Sequence, residues 1–294
     1  MKRVVVTGSE GFIGSNVVRF LKNSGFEVFS IDIAASGGPN EINIDIRSLE
    51  LGAKLLEIKP DVIIHCAAQI YVMDSLENPE NDLSINGFGT LNLVHASIKA
   101  KVTNFIYIHS GGAVYDSNNS LPIEEDDREF PQSPYGLTKA LGEGYVRILC
   151  SAAGISWTSL ALSNVFGSIK NHRKGVIFEF ANAFLQNRAI QIYGKSVTRD
   201  YVHIDDVTRA VFSAISKPTL CRVNISSAIE TSNLQLFELI RKKFGSEVTP
   251  IIHEARSGEV LRSCLSNRKA KEILNWSPKI DLKTGISMIL EDVQ

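Results

Sequence analysis

Two periodicities alternate along the first 160 or so residues. Residues 3–6, 27–31, 61–65, 104–108 and 156–160 are short runs rich in β-branched and aromatic side chains, read as apolar rather than strictly alternating. A half-exposed strand would alternate apolar and polar positions. Largely apolar runs of this length predict parallel strands covered on both faces. Between them the apolar positions return at helical spacing. Ile13, Val17, Phe20 and Leu21 fall at i, i+4, i+7 and i+8, and Gly25 ends that helix. Two longer helices are predicted over about 79–100 and 134–152. Strands alternating with helices predict a doubly wound α/β fold around a parallel sheet.

After residue 165 the pattern loosens. A loop at 170–174 precedes a helix over 176–186, a strand over 190–193 and a helix from Asp205 or Asp206 to Ser216. Helices follow near 234–244 and 267–274, and Trp276-Ser277-Pro278 stops the last. The sequence has no repeat, low-complexity tract or long flexible linker. A first domain over 1–165 is expected, with a return segment near 197–225, and a smaller C-terminal lobe drawn mainly from 166–294.

Composition narrows the class without naming a chemistry. The 294 residues suffice for a large core, and 44% apolar with 21% charged is ordinary for a globular protein. A formal net charge of −1 supplies no field for nucleic acid or an anionic membrane, so neither partner is expected. No apolar run approaches the ~20 residues of a membrane helix. Lys2-Arg3 before Val4-Val5-Val6 superficially suggests a signal peptide, but that apolar run ends at Thr7-Gly8, short of the about 7–15 residues needed. A cytoplasmic protein is expected. Cys66, Cys150, Cys221 and Cys264 form no C-x-x-C pair, which favours reduced thiols over disulfides or a metal site.

The first candidate chemistry lies at the N-terminus. Val4-Val5-Val6-Thr7-Gly8-Ser9-Glu10-Gly11-Phe12-Ile13-Gly14 reads as a strand, a G-x-x-G-x-x-G loop and a helix start. Such glycines let backbone approach a pyrophosphate, and the helix N-terminus offers free N–H groups and partial positive charge. A tight turn without a ligand would use the same residues. Gly8, Gly11, Phe12, Ile13 and Gly14 are therefore candidate dinucleotide contacts, within a Rossmann-like fold. Asp32, 18 residues beyond Gly14, follows the second strand. A carboxylate there accepts from both adenosine ribose hydroxyls and repels a 2′-phosphate, which favours NAD over NADP. Asp45 and Ile46, after a short strand at 42–44, are candidates to meet the adenine.

Ser133-Pro134-Tyr135-Gly136-Leu137-Thr138-Lys139 opens a helix, with Ser133 suited to the N-cap and Pro134 to the first turn. Tyr135 and Lys139, at i and i+4, share a face. A nearby ammonium stabilises a phenolate and moves Tyr from about 10 toward neutrality, so that it can take a proton from a hydroxyl and return it. A bare Y-x-x-x-K on a solvated face is the alternative. Gly136, Gly142 and Gly144 weigh against it, because each costs about 1 kcal/mol in a helix and close approach of backbone or ligand would explain them.

Taken together, Gly8 to Gly14, Asp32, Tyr135 with Lys139, and Arg199-Asp200-Tyr201-Val202-His203-Ile204-Asp205-Asp206 resemble the extended short-chain dehydrogenase/reductase family, nearest its UDP-glucose 4-epimerase-like nucleotide-sugar enzymes. His65-Cys66-Ala67-Ala68 is similar to the family's H-x-A-A, Asn86 with Gly89-Thr90 to its N-x-x-G-T, and Asn164-Val165-Phe166-Gly167 to its N-x-x-G. Arg256-x-Gly258-Glu259 and Leu274-Asn275-Trp276-x-Pro278 resemble late motifs of its substrate lobe. The resemblance implies Tyr135 as acid/base, Lys139 on the nicotinamide ribose, Ala67 near the cofactor, and Asn164, Arg199 and Arg256 at the substrate diphosphate. Surface pairing of Arg199 with Asp200 or Asp205 is its bland alternative. His65, His203 and Asn86 are expected to be structural.

This sequence departs from the family pattern in three places. A Ser or Thr usually stands three residues before the Val of the Val-Tyr pair. That position before Val114-Tyr115 is Gly111, so Ser110 is the candidate for bonding the reacting oxygen. Asp116 stands where Gly often follows the pair, and Ala161 where Arg often precedes N-x-x-G. The places of a dehydratase's Asp-Glu pair hold Gly112 and Ala113, with no titratable group, which disfavours a 4,6-dehydratase. The implied activity is NAD-dependent 4-epimerisation of a UDP-hexose through a 4-keto sugar. Alternatives are a reductase, a uronic acid decarboxylase and a non-catalytic sensor. The resemblance also implies a homodimer through the helices near 79–100 and 134–152.

Overall fold

The computed structural model describes residues 1–167, 175–255 and 260–291. In chain order the strands are β1 (Arg3–Thr7), β2 (Glu27–Asp32), β3 (Glu41–Asn43), β4 (Val62–His65), β5 (Asn104–Ser110), β6 (Ser156–Leu162), β7 (Asn164–Phe166), β8 (Gln191–Tyr193), β9 (Thr198–His203), β10 (Leu220–Ile225), β11 (Glu230–Ser232) and β12 (Ile251–His253). Seven form one parallel sheet in the order β10-β6-β5-β4-β1-β2-β3. The strand order reverses between β1 and β4. In open α/β sheets the crevice at such a reversal, beyond the strands' carboxyl ends, is where ligands bind.

The largely apolar runs are explained by burial on both faces. Val4, Val6, Ile64 and Ile106 pack on one side with the helices Phe12–Asn23 and Ile204–Ser216. Val5, Ile63, Phe105 and Tyr107 pack on the other with Glu50–Ile58 and Thr90–Lys99. All five strands expected in the first half are present. Four run one or two residues further than the apolar pattern, and in three of these the extra residues are polar: Thr7, Asp32 and His109-Ser110. They stand at the sheet's carboxyl edge, where the core ends and the crevice begins.

The helix expected over 79–100 is present as Pro79–Asp82, a wider π-helical stretch Leu83–Gly89, and Thr90–Lys99. The one expected over 134–152 is Pro134–Tyr145, continued by a π-helical turn Val146–Cys150. Between β4 and Pro79 lies the short helix Val72–Glu77. Of residues 197–225, Ile204–Ser216 packs beside Phe12–Asn23, with Phe20 and Phe212 edge to face at 5.9 Å, and β10 joins β6. By contrast β9 lies between β7 and β11 in a separate three-stranded sheet.

A third apolar cluster is distinct from the two around the main sheet. Phe180, Phe184, Leu236, Phe237, Ile240, Ile286 and Ile289 fill the space between Val176–Leu185, Asn233–Phe244 and Leu282–Glu291. The last of these helices was not named from the sequence, although Leu282, Ile286, Ile289 and Leu290 fall at i, i+4, i+7 and i+8. Its start is capped by Asp281, whose carboxylate accepts from the Thr284 amide at 2.7 Å.

Candidate active site

The glycine loop is fixed by close backbone approach. Gly8 has φ +67°, and a Cβ there would lie 2.5 Å from the Ala67 amide nitrogen. A Cβ on Gly14 would lie 2.0 Å from the Gly8 carbonyl oxygen. Neither neighbour can yield, because both are backbone. The loop therefore sits tight against the β4 turn and leads into the N-terminus of Phe12–Asn23. Asp32 closes its outer side. Its carboxylate accepts from the Glu10 amide at 3.0 Å and the Ala34 amide at 2.9 Å. Two neutral donors leave lone pairs free to accept ribose hydroxyls. Asp45 pairs with Arg47, whose hydrogen bonds hold the Asp45 carboxyl below its usual value.

On the opposite wall Ser133 caps the helix Pro134–Tyr145, its hydroxyl accepting from the Gly136 amide at 3.1 Å. A Cβ on Gly136 would lie 2.3 Å from the Ala113 carbonyl oxygen, and one on Gly142 2.6 Å from the Tyr107 hydroxyl. Two of the three helix glycines thus let the helix settle onto β5 and the Gly111–Val114 turn. Gly144 meets nothing of its own chain within 4 Å. Close packing within the chain does not account for that residue.

The Tyr135 phenol and the Ser110 hydroxyl lie beside each other in the cleft. Burial pushes the Tyr135 phenol above its usual value, Asp82 adds to this, and the Ser110 hydroxyl opposes it. The Lys139 ammonium donates to the Ile108 carbonyl at 2.7 Å and lies 4.1 Å over the Tyr107 ring. Burial pulls it down to about 7. Gly111 could not carry the family's Ser or Thr without displacement, since a Cβ there would lie 2.4 Å from Leu265 Cδ1. Ser110 stands beside the phenol instead.

One cleft of about 810 Å3 gathers Gly8, Gly11, Phe12, Ile13, Gly14, Asp32, Asp45, Ile46, Ala67, Ser110, Tyr135 and Lys139. That size is in the range of a ligand site. Asn164 lines a small adjoining pocket with Tyr201 and Phe166. Arg199 is not among the cleft-lining residues, and its guanidinium donates to the Thr198 and Val260 carbonyls at 2.8 and 2.7 Å. Arg256 lies outside the described residues. Asn86 holds the turn after β4, accepting from the Gln69 amide at 2.9 Å and donating to the Gln69 carbonyl, Asp82 and Thr138. His65 bonds Thr7 and Thr90, and His203 accepts from the Asp205 amide. Gln69 and Ser163 also line the cleft. Each is near a sequence motif, but no spacing singled it out.

The comparisons agree with this fold. A model of the NAD dependent epimerase/dehydratase family matches residues 4–226. The chain is 35% identical over 306 residues to UDP-glucose 4-epimerase of Mycolicibacterium smegmatis, with 98% of this chain and 97% of the relative covered. It is similar to the crystal structure of UDP-glucose 4-epimerase with UDP-glucose from Thermotoga maritima, at TM-score 0.94 and 33% identity over 99% and 98% of the two chains. The UDP-glucose 4-epimerase complex with NAD from Thermus thermophilus matches at TM-score 0.89 and 29% identity, with the same coverage. The chain belongs to the NAD dependent epimerase/dehydratase family.

Proposed function

We propose that this chain is an NAD-dependent 4-epimerase of UDP-hexoses. The observation that carries the reading is the convergence, in one cleft, of the glycine loop and Asp32 with Ser110, Tyr135 and Lys139. The loop fits a dinucleotide because the space a Cβ would fill at Gly8 and Gly14 is already taken by backbone, which leaves amide groups to face a pyrophosphate. Asp32 receives the adenosine ribose. Bound NAD supplies a reversible hydride acceptor.

Tyr135 takes the proton from the hydroxyl on sugar carbon 4 as the carbon-bound hydride leaves, giving a 4-keto sugar. Ser110 donates to the same oxygen and holds it at the phenol. Lys139 binds the nicotinamide ribose, and its charge favours the phenolate. After the keto sugar presents its other face, hydride returns to carbon 4 and Tyr135 returns the proton. Gly112 and Ala113 offer no acid or base for loss of water. Asn164, Arg199 and Arg256 are assigned to the substrate diphosphate on family likeness, for which Arg forks are well shaped.

A homodimer accompanies this reading. Leu137, Leu141, Gly144 and Ile148 follow one another along a single helical face, and the three large side chains are exposed. Leu83 and Phe88 are exposed on the neighbouring helix. Gly144 lies in this stripe, where its missing side chain lets a partner helix approach. Sedimentation should give a dimer, and Leu141→Asp should give a monomer; a wild-type monomer refutes the assignment.

NMR of the purified protein with UDP-glucose, UDP-N-acetylglucosamine and UDP-glucuronate in turn, with catalytic NAD only, tests the function. The carbon-4 epimer of any one establishes it. No change in all three overturns it.

A further inference from the structure

The inner face of helix Pro134–Tyr145 carries ionisable side chains at one-turn intervals: Tyr135, Lys139 and Glu143. Glu143 does not line the cleft, yet it is only 7% exposed. A carboxylate in such a place is costly unless paired. Arg222 on β10 pairs it: Nε donates to one oxygen at 2.8 Å and Nη2 to the other. Arg222 also donates to Glu129 at the surface and lies over the Tyr115 ring. Burial would raise the Glu143 carboxyl, but the Arg222 hydrogen bonds and charge overcome it and hold the group at about 2. Glu143 is therefore anionic at any ordinary pH.

Lys139 meets other groups from each element around it. Cys66 approaches from the β4 turn, Asp82 from Pro79–Asp82, Tyr107 and His109 from β5, and His65 from β4. Burial pulls the lysine down to about 7, and Cys66, Glu143 and Asp82 oppose that. These three are not equivalent. The Cys66 thiol is pushed by burial up to about 12, so near neutrality it carries no charge. Asp82 accepts only from neutral donors, Gln69, Asn86 and Thr138, and burial raises its carboxyl. Both histidines are pulled by burial to about 3 and are neutral. Glu143 alone among them has a cation of its own to keep it ionised.

We propose that Glu143 is a positioning residue for Lys139: clamped by Arg222, it fixes a negative charge one helical turn beyond the lysine and keeps the ammonium charged beside the reacting phenol. Its consequence for turnover rests on the functional reading above. About 12 Å of helix separate Glu143 from Tyr135, so its influence on the phenol passes through Lys139.

Competitive acetylation of the full-length protein with acetic anhydride across pH, read for the Lys139 peptide by mass spectrometry, gives the lysine's titration midpoint without needing turnover. Glu143→Gln should lower that midpoint by roughly one pH unit or more. The alkaline limb of kcat should move down with it. Glu143→Asp, which keeps the charge, should restore both. Glu129→Gln, which touches Arg222 from the solvent side, should change neither. Should the lone Gln variant leave Arg222 too poorly satisfied to fold, Glu143→Gln with Arg222→Gln replaces the ion pair by amides and should shift the midpoint in the same direction, by less. An unchanged midpoint in a folded Gln variant overturns the proposal even if kcat falls. A shifted midpoint in a protein that epimerises no UDP-sugar keeps the role of Glu143 and sinks the functional reading instead.

Discussion

Gly142 and Gly144 lie two residues apart in one helix, and replacing each by Ala should have opposite effects. In a helix interior Ala is favoured over Gly by about 1 kcal/mol. At Gly144 nothing within the single chain opposes that gain, since no atom beyond the helix's own backbone lies within 4 Å of the new Cβ. The gain is therefore to be read in the monomeric Leu141→Asp background, where no partner helix is near. At Gly142 the Cβ would lie 2.6 Å from the Tyr107 hydroxyl and 3.2 Å from the Asn86 carbonyl oxygen. Ordinary contact begins near 3.4 Å, so helix and ring must part by close to an ångström. Tyr107 cannot swing away, because it is fully buried and its hydroxyl donates to the Lys139 carbonyl at 3.1 Å. Overpacking of this kind costs about 1–3 kcal/mol, and a lost hydrogen bond about 0.5–1.5 kcal/mol. Less the helix gain, Gly142→Ala should destabilise by about 1–3 kcal/mol.

Urea unfolding of both variants measures the difference, and a Tyr107→Phe background isolates its cause. Without the hydroxyl the nearest obstacle is gone, so Gly142→Ala should cost at least about 1 kcal/mol less there. Turnover adds a second readout. The helix that must move carries Tyr135 and Lys139, so kcat should fall in the variant that is still folded. Equal stabilisation by both alanines, or a cost unchanged by Tyr107→Phe, would refute the view that the glycine seats this helix on β5.

Three further outcomes are expected. Asp200→Asn should destabilise by about 1–3 kcal/mol in urea, because the buried carboxylate accepts from Ser163, Ser227, Ala228 and Leu265 and an amide accepts through one oxygen only; a change below about 0.5 kcal/mol contradicts this. Stability should fall with acid in two stages. His65 and His109 are held near 3 by burial, and both bind protons in the unfolded chain from about 6.5 downward, so up to about 2.7 kcal/mol per pH unit is lost through that window. Glu143, held at about 2, adds its loss below about 4.5, and a flat profile between pH 6.5 and 4 rules the scheme out. Asp32→Ala should weaken NAD by about 10-fold or more in calorimetry, each charged hydrogen bond counting about 1.5–3 kcal/mol, and should narrow the gap to NADP.

Legibility followed sequence distance. The glycine loop, Asp32, and the Ser133-capped helix with Tyr135 and Lys139 were readable because each is specified within one strand, turn or helix start. Ser110 was readable as the candidate, but the reason Gly111 carries no side chain was not, because the obstacle there is Leu265, which arrives from the far end of the chain. Arg199 was readable as a motif member but not as a position. Its strand pairs with β7 and β11 rather than with the main sheet, and nothing local encodes that choice. The helix Val72–Glu77 was not readable because its polar and apolar residues follow no clear face. Its cap is Tyr71, which offers no side-chain acceptor to the helix.

Where local rules fail, the failures converge. A sheet edge should not end in polar side chains pointing inward, a helix should not carry glycines, and a core should not hold Lys139, Glu143, Asp82, His65 and His109 within one region. Most of these groups are satisfied by the chain: His65 by two threonines, Asp82 by Gln69, Asn86 and Thr138, Glu143 by Arg222. His109, fully buried, has no hydrogen bond at either ring nitrogen. An unsatisfied buried polar group costs about 1–3 kcal/mol, and a buried amine prefers to lose its proton. A fold selected for stability alone would replace these side chains with leucine or phenylalanine. Their concentration behind the Tyr135 phenol places the electrostatic cost around the buried lysine, where burial favours loss of the proton and the fixed charge of Glu143 opposes that loss.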